Sequence, residues 1–118
     1  MKSLPIDKYE QIEAMLAGRF FDVVQEHGQD PRKGDFRRFI SVDRQQIIDY
    51  LRLHSGRAME YFEKYSAVRG THDVAVIFKD GAEYVVAWMD RGHPRDVRRF
   101  SDIAEADAEH MLINHGKY

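Results

Sequence analysis

A few residues in this 118-residue chain have types and spacings that can do chemistry. His93 stands in a Gly/Pro turn beside Asp90 and Asp96, and an imidazole among carboxylates can serve as a general base or as part of a metal site. A catalytic metal normally takes three protein ligands at recognisable spacing, and the residues around His93 supply no such set, so a surface histidine is the plainer reading. His110 and His115 are five residues apart, which misses the four-residue step that places two imidazoles on one helix face. They read as cations that suit the C-terminus of a last helix. Arg32, Lys33, Arg37, Arg38 and Arg44, with Phe36 and Phe39 among them, could grip phosphates while the rings stack on bases. Asp30, Asp35 and Asp43 dilute that field, so a solvated loop competes with a nucleic-acid site. Tyr84 and Trp88 share a strand face, with Arg91, His93 and Arg95 following, and aromatic and arginine side chains dominate protein-protein hot spots. Core packing under a helix explains the two rings equally well. The chain has no cysteine, hence no thiolate nucleophile and no disulfide. With no catalytic motif, no metal set and no cofactor motif, a non-enzymatic protein without a cofactor is expected.

The elements that must position these residues centre on Val74–Asp90. Two runs rich in Val, Ile, Phe, Tyr and Trp flank Asp80-Gly81, which marks a hairpin turn. With Asp80 and Gly81 as the loop, Ile77 faces Tyr84 and Val76 faces Val85. Alternation puts Val74, Val76, Phe78, Val85, Ala87 and Met89 on one face and Ala75, Ile77, Tyr84, Val86 and Trp88 on the other. Both faces are apolar, so the hairpin is covered on both sides or offers one to a partner. Arg91-Gly92-His93-Pro94 forms a second turn, and Arg95–Phe100 a third strand. Arg91, Arg95, Arg98 and Arg99 could pair with an acidic partner surface or with Asp102, Glu105 and Glu109 of the helix that follows, and the second is the plainer reading. In that helix Ile103, Ala104, Ala108, Met111 and Leu112 can face the sheet, with Ser101 or Asp102 as its cap.

Upstream, Tyr9, Ile12, Leu16, Phe20, Val23 and His27 recur at three- and four-residue steps, one apolar stripe that starts after Pro5 and ends at Gly28. Gly18 interrupts it, and residues 19–27 taken alone also fit a strand. Gln29–Asp35 has loop composition, and Phe36–Val42 can be a short extended segment. Asp43 or Ser41 caps a helix carrying Ile47, Ile48 and Leu51, which Ser55-Gly56 closes. A further helix over Arg57–Val68 buries Met59, Tyr61, Phe62 and Tyr65 and turns Glu60, Glu63 and Lys64 to water. The fold predicted is α+β in one domain over residues 1–118: N-terminal helices, an antiparallel three- to four-stranded β-meander and a C-terminal helix.

Eighteen basic and 20 acidic residues leave a net charge of -2, so no long-range field commits the molecule to nucleic acid or anionic lipid. The first residues lack the continuous apolar core of a signal peptide, and no run is long enough to cross a bilayer, so a cytoplasmic location is expected.

An apolar strand, the segment Tyr84-Val85-Val86-Ala87-Trp88-Met89-Asp90-Arg91-Gly92, a short basic strand ending at Phe100 and an Ala-rich last helix together resemble small bacterial immunity proteins, which neutralise a cognate secreted or contact-delivered toxin. The likeness covers the C-terminal third. It implies a non-enzymatic inhibitor that binds a toxin domain, often over its active site, with no family residues transferred because no defined motif matches. Tyr84, Trp88, Arg91, His93 and Arg95 are then the candidate partner contacts. The alternative is a small RNA- or DNA-binding module using Arg32, Lys33, Arg37 and Arg38. A monomer in which Phe36–Val42 closes the sheet edge at Val74–Phe78 is favoured over a homodimer paired through that edge.

Overall fold

Asp7 starts the first helix, its carboxylate accepting from the backbone of Tyr9 and Glu10. The computed structural model describes residues 6–29, 39–67 and 73–115; Pro5 lies outside them. The helix, α1 (Lys8–Ala17), stops at Gly18, whose φ of +70° lets its N–H and that of Arg19 turn back to Met15 and Ala14. A Cβ at Gly18 would also meet the Tyr65 hydroxyl at 3.3 Å. The expected continuous stripe is therefore two helices, and residues 20–26 form α2 (Phe20–Glu26) rather than a strand. Ile12, Leu16, Phe20, Val23 and His27 are buried as predicted, whereas Tyr9 is 67% exposed and leans on the Tyr50 ring.

Residues 39–42 are not a strand. The buried Gln11 side chain explains why: it accepts from the backbone N–H of Ser41 at 2.8 Å and donates to the Ser41 hydroxyl and the Ile6 carbonyl. It satisfies locally a group that a ladder would have paired, and it pulls Ile40 and Val42 into the helical core. Asp43 then caps α3 (Arg44–Leu53) in a reciprocal capping box with Gln46. His54 leaves helical geometry and ends α3, so Ser55 and Gly56 form the first turn of α4 (Ser55–Ser66) rather than closing α3. Met59 faces outward at 45% exposure while Tyr61 is buried.

Strands β1 (Val74–Asp80), β2 (Glu83–Asp90) and β3 (His93–Phe100) form an antiparallel meander in the order β1-β2-β3. The first turn is Gly81-Ala82, one residue later than predicted, because only Gly81 needs a positive φ, +63°. Ile77 therefore faces Val86, a slide of two residues that leaves the two face sets intact. The second turn is Arg91-Gly92, and β3 begins at His93 with an irregularity opposite Ala87, where Asp96 takes a φ of +50°.

Helix α5 (Ile103–Asn114), capped by Asp102, lies between the layers and touches α3, α4 and all three strands. Its residues 104, 106–112 are buried, so it has almost no solvent face. The predicted sheet-facing stripe instead joins the helical core: Ala104, Ala108, Met111 and Leu112 pack with α1 to α4. Ala106 is what meets the sheet, beside Ile77 and Val86.

His110 and His115 are not surface cations. Both are buried, and desolvation lowers both, His110 to about 4. The Ala75 carbonyl can only accept, so His110 Nε2 carries the proton and donates to it at 3.2 Å, leaving Nδ1 to accept from the Tyr61 hydroxyl at 2.6 Å. This relay pins α4, α5 and β1 together. Ala75 and Ile77 alternate with the β2-bonded residues and so turn their backbone groups to the free edge, yet they are only 3% and 2% exposed. The edge of β1 is thus closed at those residues without a fourth strand from residues 39–42, with α4 packed on β1 and His110 on Ala75. Replacing Tyr61→Phe should leave His110 Nδ1 unpaired and lower stability by about 1–3 kcal/mol in urea unfolding at pH 7, with unchanged stability refuting the relay.

Candidate functional site

The two faces of the sheet are served differently. On the inner face Tyr84 packs edge-on against Phe62 of α4, with ring centroids 5.2 Å apart, and Phe62, Tyr65 and Ile113 close over Ile77 and Val86. Lys79 sits 5.5 Å from the other side of the Tyr84 ring. Trp88 shares this face, half-buried and paired across the strands with Ala75 and Arg95. The two aromatic candidates therefore stand at the margin of the helix-covered layer.

The outer face is Val74, Val76, Phe78, Val85, Ala87 and Met89, extended by Val97 of β3 through alternation from Arg98. Among the described residues, the helix side chains that pack on the sheet cluster all meet the opposite face. Val85 and Ala87 in the central strand are buried, flanked by Val76 and Phe78, while Phe78 and Val97 on the outer strands are 42% and 48% exposed. The result is an apolar surface whose two most exposed members flank a filled centre.

Charged side chains stand at both ends of the sheet. Asp90 takes Arg95 at 3.0 Å, and Arg91 and His93 are exposed beside them at the β2–β3 turn. At the opposite end Arg99 bridges Asp80 at 3.0 Å and Glu83 at 3.5 Å. Arg91, His93, Arg95 and Trp88 are thus gathered at one end of the meander, and Tyr84 stands apart, opposite Phe100. No group of three or more His, Asp or Glu side chains is placed to hold a metal among the described residues. The His93–Asp90–Asp96 reading accordingly reduces to an exposed histidine whose cross-strand neighbour Asp90 is occupied by Arg95.

The basic segment Arg32, Lys33, Arg37 and Arg38 lies outside the described residues. Arg44, the last member of that run, has a structural role: its guanidinium lies 5.5 Å from the Phe100 ring centre and 3.9 Å from Glu109. Glu109 itself is buried and accepts from Arg98 at 2.6 Å. Of the predicted arginine pairs with α5 this one forms, whereas Asp102 and Glu105 take Arg52 of α3 instead, at 2.8 and 3.4 Å. Arg44, Arg98, Phe100 and Glu109 border a shallow depression of about 450 Å³, the outer side of this ion-paired cluster.

A second shared acid stands between the N-terminal helices and α4. Glu13 accepts from both Tyr50 and Arg57, and these contacts hold its carboxyl below the ordinary value against the opposing effect of burial. Burial, followed by the bond to Glu13, pushes the Tyr50 phenol up to about 12.

Sequence reasoning missed Gln11, the Tyr61–His110 relay and the burial of Glu109. Its one available signal was three ionisable residues, Asp107, Glu109 and His110, set among alanines in α5.

No protein family, no curated protein and no solved structure matches the chain.

The buried end of the Arg98–Glu109 pair sets its energetics, since removing one partner strands a charge away from water. Arg98→Met should cost about 1–3 kcal/mol, and Glu109→Gln in that background should recover part of the loss. Thermal unfolding of both variants checks this, and an unaffected Arg98→Met protein would exclude the pairing.

Proposed function

We propose that this chain is a non-enzymatic inhibitor of the toxin-immunity kind, and that it binds a protein toxin through the outer face of its sheet. The observation that carries the reading is the exposure of Phe78 and Val97, 42% and 48%, on the outer strands of one sheet face whose centre, Val85 and Ala87, is apolar and buried. The resemblance of the hairpin, basic strand and Ala-rich helix to small immunity proteins supports the choice of partner. Location in a bacterial cytoplasm belongs to the same proposal, and among the described residues no helix is long and apolar enough to cross a membrane.

A protein partner fits this face better than nucleic acid does. Residues 73–100 carry five basic and five acidic side chains, so the sheet presents no net positive field to a phosphate backbone. Its centre is apolar and its margins are mixed in charge, the pattern of a protein-protein contact. Arg91 and His93 at the exposed β2–β3 turn can extend the contact, whereas Trp88 and its cross-strand neighbour Arg95 belong to the opposite face.

The discriminating experiment is co-expression with a candidate toxin domain, sought in the gene immediately upstream. The natural protein should suppress toxicity and co-purify with the toxin product. Phe78→Asp combined with Val97→Asp should keep the circular dichroism of the parent and weaken toxin binding at least 100-fold, on the order of 3 kcal/mol for two anchors at the centre of an interface. Full toxin activity in excess of this protein, or undiminished protection by the double variant, would reject the reading.

A further inference from the structure

One turn before His110, α5 buries a second ionisable side chain, and this one has no partner. Asp107 is 0% exposed, and neither of its carboxyl oxygens makes a hydrogen bond. Buried polar groups are nearly always paired, so the exception calls for a physical explanation. A bare carboxylate is far less tolerable in apolar surroundings than the neutral acid.

The groups around Asp107 offer no compensating charge. From α4 comes Tyr61, whose hydroxyl is engaged on His110. Within α5, His110 has both ring nitrogens occupied, and Glu109 is bound to Arg98. Asp102 at the N-cap adds repulsion rather than relief. From α3, Arg52 is held by Asp102 and Glu105. The flanking residues Ala104, Ala108 and Met111 belong to the apolar core.

We infer that the folded chain carries Asp107 as a neutral carboxylic acid, so that folding is coupled to the uptake of one proton and the packing of α5 weakens in alkaline solution. Burial first, and Asp102 second, push the Asp107 carboxyl up to about 8. The unfolded carboxyl releases its proton near the ordinary 3.8 and the folded one near 8, so between these values the folded state binds one more proton. Stability therefore falls as pH rises through that window. His110 and His115 act in the opposite sense, because burial lowers both, but they do so only below the ordinary histidine value of 6.5. Between pH 6.5 and 8 the Asp107 contribution stands clear of them.

Urea unfolding of the full chain from pH 6.5 to 8 tests this. Relative to the isosteric, neutral Asp107→Asn variant, the natural protein should lose about 15-fold in folding equilibrium constant across the window, most steeply near pH 6.5 and less so as the folded carboxyl titrates near 8. Parallel pH curves for the two proteins would overturn the inference. Should the variant fail to fold, the carboxyl ¹³C resonance of Asp107 in the natural protein decides independently: a titration midpoint far above 4 is expected, and one near the ordinary carboxylate value would overturn it.

Discussion

A helix packed against a sheet on one side and against other helices on the other has nowhere to put polar side chains except inside. That constraint falls on α5, and most of the architecture follows from how it is met. Alanines at 104, 106 and 108 keep the helix slim enough to lie between the layers, with Ala106 as the contact to Ile77 and Val86. The three ionisable residues it buries are handled in three ways. Glu109 is paired with Arg98 at 2.6 Å, with Arg44 nearby. His110 is neutral and is used as a hydrogen-bond link between Tyr61 and Ala75. Asp107 has no partner, which is why its proton carries the explanation.

The relay through His110 also explains the shape of the sheet. A three-stranded meander has two edges, and each is a hazard unless it is covered or blunted. On β1 the edge residues Ala75 and Ile77 are buried, and the Ala75 carbonyl is taken by His110. On β3 the protection is local: Pro94 removes a donor, Asp96 breaks the regular twist, and Arg95, Arg98 and Arg99 place charge along the strand. A second copy of the chain therefore finds no bare backbone at residues 75 and 77.

Much of the fold was legible because the residues involved answer to local rules. Hairpin alternation, the Asp43 and Asp102 caps, and Gly28 at the end of α2 depend on neighbours within a few positions, and the sequence shows all of them. What was not legible depended on distant partners. Gln11 reads as a surface glutamine until Ser41, 30 residues away, is brought to it. His110 and His115 read as dipole-stabilised cations because a helix end is normally wet, and only the packing of α5 in the middle layer makes them neutral. The displaced turn is a different case. Asp80 and Gly81 both tolerate positive φ, and nothing within the dipeptide says that Gly81-Ala82 would form the loop. The face sets survived because a slide of two residues preserves strand parity.

The same parity argument separates the two candidate surfaces. Tyr84 and Trp88 were attractive as anchors because they are large and lie on one face, but that face is the one α4 and α5 close over. Their smaller alternates Val85 and Ala87 lie on the outer side but are buried, and exposure there falls on Phe78 and Val97 of the outer strands. Residues on the inner face are held by the helix layer, so substitutions there act first on stability. On the outer face the duty is divided: Val85 and Ala87, each 1% exposed, belong to the interior, whereas Phe78 and Val97 on the outer strands stand out into solvent.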